Sequence, residues 1–104
     1  MTDAEKEREY NEKINSLPAL EGFGQPQKGW IRDNVDGKKY KTLAEVQRAA
    51  LANPDCTGFT SLPKGGWKLR MGKKVNIGAG DEWYVKKDVS YLKNEFHPSR
   101  RDEL

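Results

Sequence analysis

The chain has 104 residues, of which 19 are Lys or Arg and 16 are Asp or Glu, and its formal net charge is +3. This length is that of a single domain. No apolar run approaches the roughly 18 residues that a membrane span requires, so we expect no membrane insertion. One cysteine, Cys56, and one histidine, His97, exclude an intrachain disulfide and a zinc site built from Cys and His alone. We therefore expect no metal and no cofactor.

Residues 1–27 predict a charged helix followed by an extended arm. Thr2 and Glu5 fit a capping box at the start of the helix. A narrow apolar stripe then recurs at spacings of four and three residues, through Tyr10, Ile14 and Leu17. Pro18 stops the helix, and the Pro and Gly residues that follow indicate a connector. Because so thin a stripe stabilises a helix little by itself, the segment is expected to need an apolar surface to lie on.

Residues 28–88 predict an α+β core domain in which one helix packs on a small curled antiparallel sheet. Asp36-Gly37 indicates a hairpin or a tight turn between residues 30–32 and 39–41, since Gly tolerates positive φ. Thr42 and Glu45 form a second capping box, and the helix that follows carries Leu43, Val46 and Ala50 on one face. Alternating patterns then predict strands at residues 56–62, 67–71 and 82–87. The opposing core layer is expected to consist of Phe59, Trp67, Leu69, Trp83 and Val85.

Residues 89–104 predict a short C-terminal helix and a polar tail. Val89, Leu92 and Phe96 have helical spacing, and His97-Pro98 ends the helix. The final Arg101-Asp102-Glu103-Leu104 resembles a retrieval signal of the endoplasmic reticulum. The acidic first seven residues show no apolar leader, so we interpret this tetrapeptide as coincidental.

Four stretches resemble the PAN/apple family over about residues 29–88. They are Thr42-Leu43-Ala44-Glu45, Ala49-Ala50, Pro54-Asp55-Cys56-Thr57-Gly58-Phe59-Thr60 and Trp83-Tyr84-Val85-Lys86. The resemblance implies a PAN/apple-like fold. In that family the cysteine before Gly-Phe usually pairs with a cysteine on the helix, whereas here the helix offers Val46, Ala49 and Ala50. The comparison therefore implies that Cys56 is a buried remnant of a disulfide scaffold, kept as a small hydrophobic residue. We accordingly expect synthesis in a reducing compartment, the cytoplasm.

No group of residues in the sequence provides a nucleophile, a base and an orienting group together, so we expect a protein that is not an enzyme. Cys56 and His97 are about forty residues apart, and no oxyanion-hole motif accompanies them. The carboxylates Asp33, Asp36 and Asp81-Glu82 fall in predicted turns, where such residues are common.

The leading hypothesis is a structural interaction module, a small accessory subunit that its terminal arms dock into a larger assembly. A virion is one such assembly, and the protein would be a minor capsid or tail protein in it. The predicted docking residues are the apolar residues of the two arms, Tyr10, Ile14, Leu17, Leu20, Phe23, Leu92 and Phe96.

The alternative hypothesis is a module that binds a polyanion, either a glycan or a nucleic acid. The same basic residues would also suit an acidic protein surface, and the net charge of +3 does not require a nucleic acid as the partner. Residues 28–41 sum to +3, and residues 64–74 carry five positive charges and no acidic residue. The residues expected to bind are Lys64, Lys68, Arg70, Lys73 and Lys74, with Lys38, Lys39 and Lys41 near them. No aromatic row interleaves with these lysines, which disfavours single-stranded nucleic acid as the partner. A third interpretation is that these lysines bind no partner and form a solvent-exposed sheet face that prevents edge-to-edge aggregation.

Overall fold

A computed structural model describes residues 2–77 and 88–97. Two α-helices occur in them, α1 (Asp3–Asn15) and α2 (Leu43–Ala52). The strands are β1 (Gln27–Lys28), β2 (Trp30–Ile31), β3 (Gly58–Ser61), β4 (Trp67–Arg70), β5 (Val75–Asn76) and β6 (Val89–Leu92). A single 3-10 turn, Asn94–Phe96, follows β6. The predicted strand at 82–87, the predicted core residues Trp83 and Val85, and the C-terminal tetrapeptide lie outside the described residues.

The strands form two antiparallel sheets, one of four strands in the order β1-β6-β3-β4 and one of two strands, β2 and β5. The α+β class is therefore confirmed. Strand β6 lies between β1 and β3, so the four-stranded sheet takes strands from all three predicted segments, 1–27, 28–88 and 89–104. No described helix combines the length and the apolar character needed to cross a bilayer.

The predicted C-terminal helix is wrong, because Val89–Leu92 forms strand β6 and only a 3-10 turn follows it. All four residues of β6 are buried, including Ser90 at 0% exposure. A strand that is covered on both faces loses the alternation of apolar and polar residues by which strands are recognised. The three-residue spacing of Val89 and Leu92 therefore gave a false helical signal.

Of the two structures that Asp36-Gly37 indicates, the chain forms the tight turn, with Gly37 at φ +71°, and not the hairpin. Asp36 closes the turn by accepting hydrogen bonds from the Lys38 N–H and the Tyr40 hydroxyl. The flanking residues pair elsewhere, since β2 pairs with β5 and Tyr40 pairs with Trp67. Residues 34–40 thus run along the outer edge of β4 and pair with backbone groups that would otherwise be unpaired at the sheet edge.

Helix α2 forms where the sequence predicts it and covers one face of the four-stranded sheet. The Thr42 hydroxyl accepts a hydrogen bond from the Glu45 N–H at 3.2 Å, which satisfies one of the free donors at the helix start. Val46 and Ala50 are fully buried against β3 and β4. On β4, Trp67 and Leu69 face α2 while Lys68 and Arg70 point to the opposite side, as the alternation predicts.

Four aromatic rings fill the core between α2 and the sheet. Phe59 lies in the middle, with ring centroids 5.1 Å from Phe23, 5.5 Å from Trp67 and 5.1 Å from Tyr91. The Phe23 and Trp67 rings meet Phe59 edge to face, the geometry that aromatic quadrupoles favour. Phe23 belongs to the predicted arm and Tyr91 to the predicted C-terminal helix, so the sequence analysis missed half of this cluster.

The two-stranded sheet lies against the other face of the four-stranded sheet, and buried hydroxyl groups join the two. The Ile31 N–H donates to the Thr60 hydroxyl at 2.9 Å, and Thr60 is 2.8 Å from the Ser90 hydroxyl. Ser90 donates onward to the Gly29 carbonyl at 2.8 Å, so Thr60 donates to Ser90. Each group in this buried chain of hydrogen bonds has a partner, which fixes the position of β2 over β3 and β6.

Helix α1 is confirmed with its cap, because the Thr2 hydroxyl accepts a hydrogen bond from the Glu5 N–H. The helix lies against β1 and buries Tyr10 completely. The Tyr10 hydroxyl donates to the Asp88 carbonyl and accepts from the Gly29 N–H at 3.0 Å. Burial raises the pKa of Tyr10 to about 12, with the Gly29 hydrogen bond opposing this shift. Tyr10 therefore joins α1 to the strand ends at both Gly29 and Asp88.

Candidate functional site

The two basic segments of the sequence are brought together by backbone pairing at the end of β4. The Met71 N–H donates to the Asp33 carbonyl and the Gly72 N–H donates to the Arg32 carbonyl, each at 2.9 Å. A Cβ on Gly72 would lie 3.0 Å from the Arg32 oxygen, so the absent side chain allows this close approach. Residues that are about forty positions apart in the sequence thus form one surface.

An open cleft of about 340 Å³ lies between these segments. It is lined by Arg32, Asp33, Gly72, Lys73, Lys74 and Asn76, and we refer to it as the cationic cleft. Arg32, Asp33, Lys73 and Lys74 are all exposed to solvent. Asp33 has a positive φ of 65°, a conformation that Asp tolerates better than most residues. Three cations and one carboxylate give the cleft a net charge of +2.

The charged side chains of the cationic cleft are not paired with one another or with their neighbours. Within residues 2–77 and 88–97, Arg32, Lys73 and Lys74 form no ion pair and no side-chain hydrogen bond. The Asp33 carboxylate likewise has no such partner in that part of the chain. Donors that the fold itself leaves unused are available to an anion, and Arg and Lys are the side chains that bind phosphate and sulfate groups.

A second cleft, of about 420 Å³, adjoins the first and shares Lys74 with it. It is lined by Gln27, Lys28, Lys74, Val75 and Ile77, and we refer to it as the apolar cleft. Lys28 extends over the Tyr10 ring, with its Nζ 5.3 Å from the ring centroid. Ile77 is 62% exposed. The two clefts place cations beside an exposed aliphatic surface.

The five predicted polyanion-binding residues do not form one cluster. Lys73 and Lys74 line the cationic cleft, whereas Lys64 lies in the turn before β4, at the other end of that strand. Lys68 and Arg70 are half-buried on β4. The Arg70 Nε is buried and has no hydrogen-bond partner, and burial lowers the Arg70 pKa while the nearby Asp88 charge opposes that shift.

The other predicted lysines lie at the Lys64 end of β4. Tyr40 pairs with Trp67 there, and Lys39 lies against Gly66, where an added Cβ would come within 2.7 Å of the Lys39 Cε. Lys39 therefore lies at the Gly66 end of β4, with Lys38 and Lys41 close to it in the chain, and not at the end of β4 where Gly72 pairs with Arg32.

The sequence analysis did not identify Arg32 or Asn76 as site residues. Both reach the cationic cleft because β2 pairs with β5, with Trp30 opposite Asn76 and Ile31 opposite Val75. The charge sum of residues 28–41 included Arg32, but no local pattern showed which lysines it would join. The missing information is a contact between segments that are distant in the sequence.

All seven of the predicted docking residues are buried or half-buried in the folded domain. Tyr10 and Leu92 are 0% exposed and Phe23 is 7% exposed, so these three have no surface to offer a partner in this conformation. Leu17 and Leu20 are half-buried and pack against the core. Ile14 and Phe96 are also half-buried.

Cys56 is buried, as the sequence analysis expected. Its thiol donates to the Gly58 carbonyl at 3.0 Å, and burial raises the pKa of the thiol, which favours the unreactive protonated form. The His97 ring packs on Gly24, with its Nε2 3.2 Å from the Gln25 carbonyl oxygen. No group of three or more Cys, His, Asp or Glu side chains in the described residues has the geometry to hold a metal ion.

Comparisons of the chain with protein-family models, with curated protein sequences and with solved structures give no match.

Proposed function

We propose that this protein is a non-enzymatic interaction module that binds an anionic partner through the cationic cleft. The observation that carries the proposal is the set of three unpaired cations, Arg32, Lys73 and Lys74, around one open cleft. These three do not pair with any described residue, and each adds attraction for a multivalent anion.

Hydrogen bonds hold the backbone at the base of the cleft, and a site whose backbone is already positioned loses less entropy on binding. The Thr57 hydroxyl donates to the Gly72 carbonyl, and Thr57 itself is 6% exposed. The backbone bonds from Met71 and Gly72 hold Arg32 and Asp33 against this base. The cations thus project from a fixed backbone, although their own side chains are free to adapt to the ligand.

The assembly-subunit hypothesis has less support. It rests on apolar residues of the arms, and the three with the least exposure, Tyr10, Phe23 and Leu92, are part of the domain core. The PAN/apple-like assignment would also suit an interaction module, and it stays a proposal drawn from the sequence pattern.

The test compares two pairs of charge reversals that change the net charge equally, from +3 to −1. The Lys73→Glu/Lys74→Glu variant alters the cleft. The matched Arg8→Glu/Arg48→Glu variant alters exposed residues of α1 and α2. We expect the cleft variant to lose at least about tenfold in affinity for inorganic polyphosphate and for heparin at about 50 mM salt, and the matched variant to change by less than about threefold.

The affinity of the unaltered protein is also expected to fall steeply as salt increases, because binding releases counterions. Equal losses in the two variants would show that binding follows net charge and not the cleft. Binding that does not respond to salt, or no binding at all, would contradict the proposed function.

A further inference from the structure

The apolar cleft adds a second kind of recognition to the cationic cleft, and Lys74 lines both. On one side of Lys74 lie the unpaired cations Arg32 and Lys73. On the other side lie the aliphatic side chains of Val75 and Ile77, with Lys28 at the same cleft. The surface therefore places cations next to aliphatic groups over a short stretch of chain, Lys73 to Ile77.

Ile77 is an exposed apolar side chain that lies beside the cations of the two clefts. It is 62% exposed, more than either of the other two large apolar residues that are exposed there, Leu51 at 51% and Met71 at 40%. A linear phosphate or sulfate polymer offers charge to the cations but no apolar surface to Ile77. An anionic bilayer surface offers both, since headgroups carry the charge and the acyl boundary lies just below them.

We propose, on the basis of the proposed function, that the anionic partner is a lipid surface. The headgroup phosphates accept hydrogen bonds from Arg32, Lys73 and Lys74, while Ile77 and Val75 contact the acyl boundary at headgroup depth. The lysine side chains suit this position because their aliphatic stems lie along apolar surface while the ammonium groups reach the headgroups. The contact is peripheral and requires no membrane-spanning helix.

The experiment measures binding to vesicles of phosphatidylcholine with about 30% phosphatidylserine, with pure phosphatidylcholine vesicles as the uncharged reference. Ile77→Ser is the test variant and Leu51→Ser is its matched control, since Leu51 is similarly exposed but lies on α2. We expect Ile77→Ser to weaken vesicle binding about fivefold, the change that follows when roughly half of an isoleucine side chain is buried on binding. Leu51→Ser is expected to bind like the unaltered protein.

Inorganic polyphosphate separates this inference from the proposed function, because it carries charge without apolar surface. Ile77→Ser is expected to bind polyphosphate normally, whereas Lys73→Glu/Lys74→Glu loses binding to both polyphosphate and vesicles. Normal vesicle binding by Ile77→Ser would overturn the lipid inference. So would polyphosphate binding that depends on the cleft without any preference for the charged vesicles, and in that case the proposed function would stand. Failure to bind either probe would overturn both.

Discussion

Gly29→Ala is expected to lower the free energy of unfolding by about 3 kcal/mol or more, enough to unfold much of a small domain. Gly29 has a φ of +117°, which L residues rarely adopt, and an added Cβ would lie 2.2 Å from the Asn76 carbonyl oxygen. Its N–H bonds to the Asp88 carbonyl at 2.9 Å and to the Tyr10 hydroxyl at 3.0 Å, so the backbone is held on both sides. The clash cannot be relieved without breaking these contacts.

Gly65→Ala is the control for this prediction. Gly65 also has a positive φ, +98°, but an added Cβ would meet no atom within 4 Å. Its cost is therefore backbone strain alone, about 1–2 kcal/mol. Urea unfolding followed by tryptophan fluorescence measures both variants. If the two alanine variants lost the same stability, the close approach of β5 to Gly29 would not exist in solution.

Tyr10→Ala is expected to destabilise the domain by about 3–5 kcal/mol, as for other large aromatic side chains removed from a core. The substitution deletes a ring with no exposed surface and removes the hydroxyl that joins Gly29 to Asp88. Ile14→Ala, one turn later on the same helix, removes a half-buried side chain and is expected to cost about 1 kcal/mol.

The same urea measurement checks this pair of variants in the isolated protein. Equal stability of Tyr10→Ala and the unaltered protein would mean that α1 does not contribute to the fold in solution. The apolar stripe of α1 would then be available to a partner, and the assembly-subunit hypothesis would regain its main support.

Local signals predicted the elements that depend on local contacts. The caps of α1 and α2 each require a hydroxyl and a residue three positions later, and both are present as expected at Thr2 and Thr42. The alternation in β4 correctly assigned Trp67 and Leu69 to the core. In each case the information lies within about one turn of helix or one strand.

Contacts between distant segments were not predictable in the same way. Ser90 of strand β6 is fully buried. This polar side chain fits there only because the Thr60 hydroxyl and the Gly29 carbonyl complete its hydrogen bonds. Two of the three cations of the cationic cleft, Lys73 and Lys74, were identified. Arg32 was not, because its place depends on pairing between β2 and β5. The site thus depends on pairing between distant segments, which local sequence patterns do not reveal.

The fold and the proposed site are linked through this same pairing. Gly29 precedes β2 and lies against Asn76 of β5, so it permits the close pairing of these two strands. Arg32 directly follows β2, and Lys74 directly precedes β5. Because the Gly29 N–H donates to the Tyr10 hydroxyl, helix α1 also contacts this pairing.

The most direct test of the central claim is to map the bound anion on the protein by NMR. Titration of ¹⁵N-labelled protein with a short inorganic polyphosphate is expected to shift the backbone amide signals of Arg32, Asp33, Gly72, Lys73 and Lys74 most strongly. The signals of Lys38, Lys39, Lys41 and Lys64, at the other end of β4, are expected to move little. The largest shifts at that other end, or small shifts spread evenly over all basic residues, would contradict the assignment of the cationic cleft as the binding site.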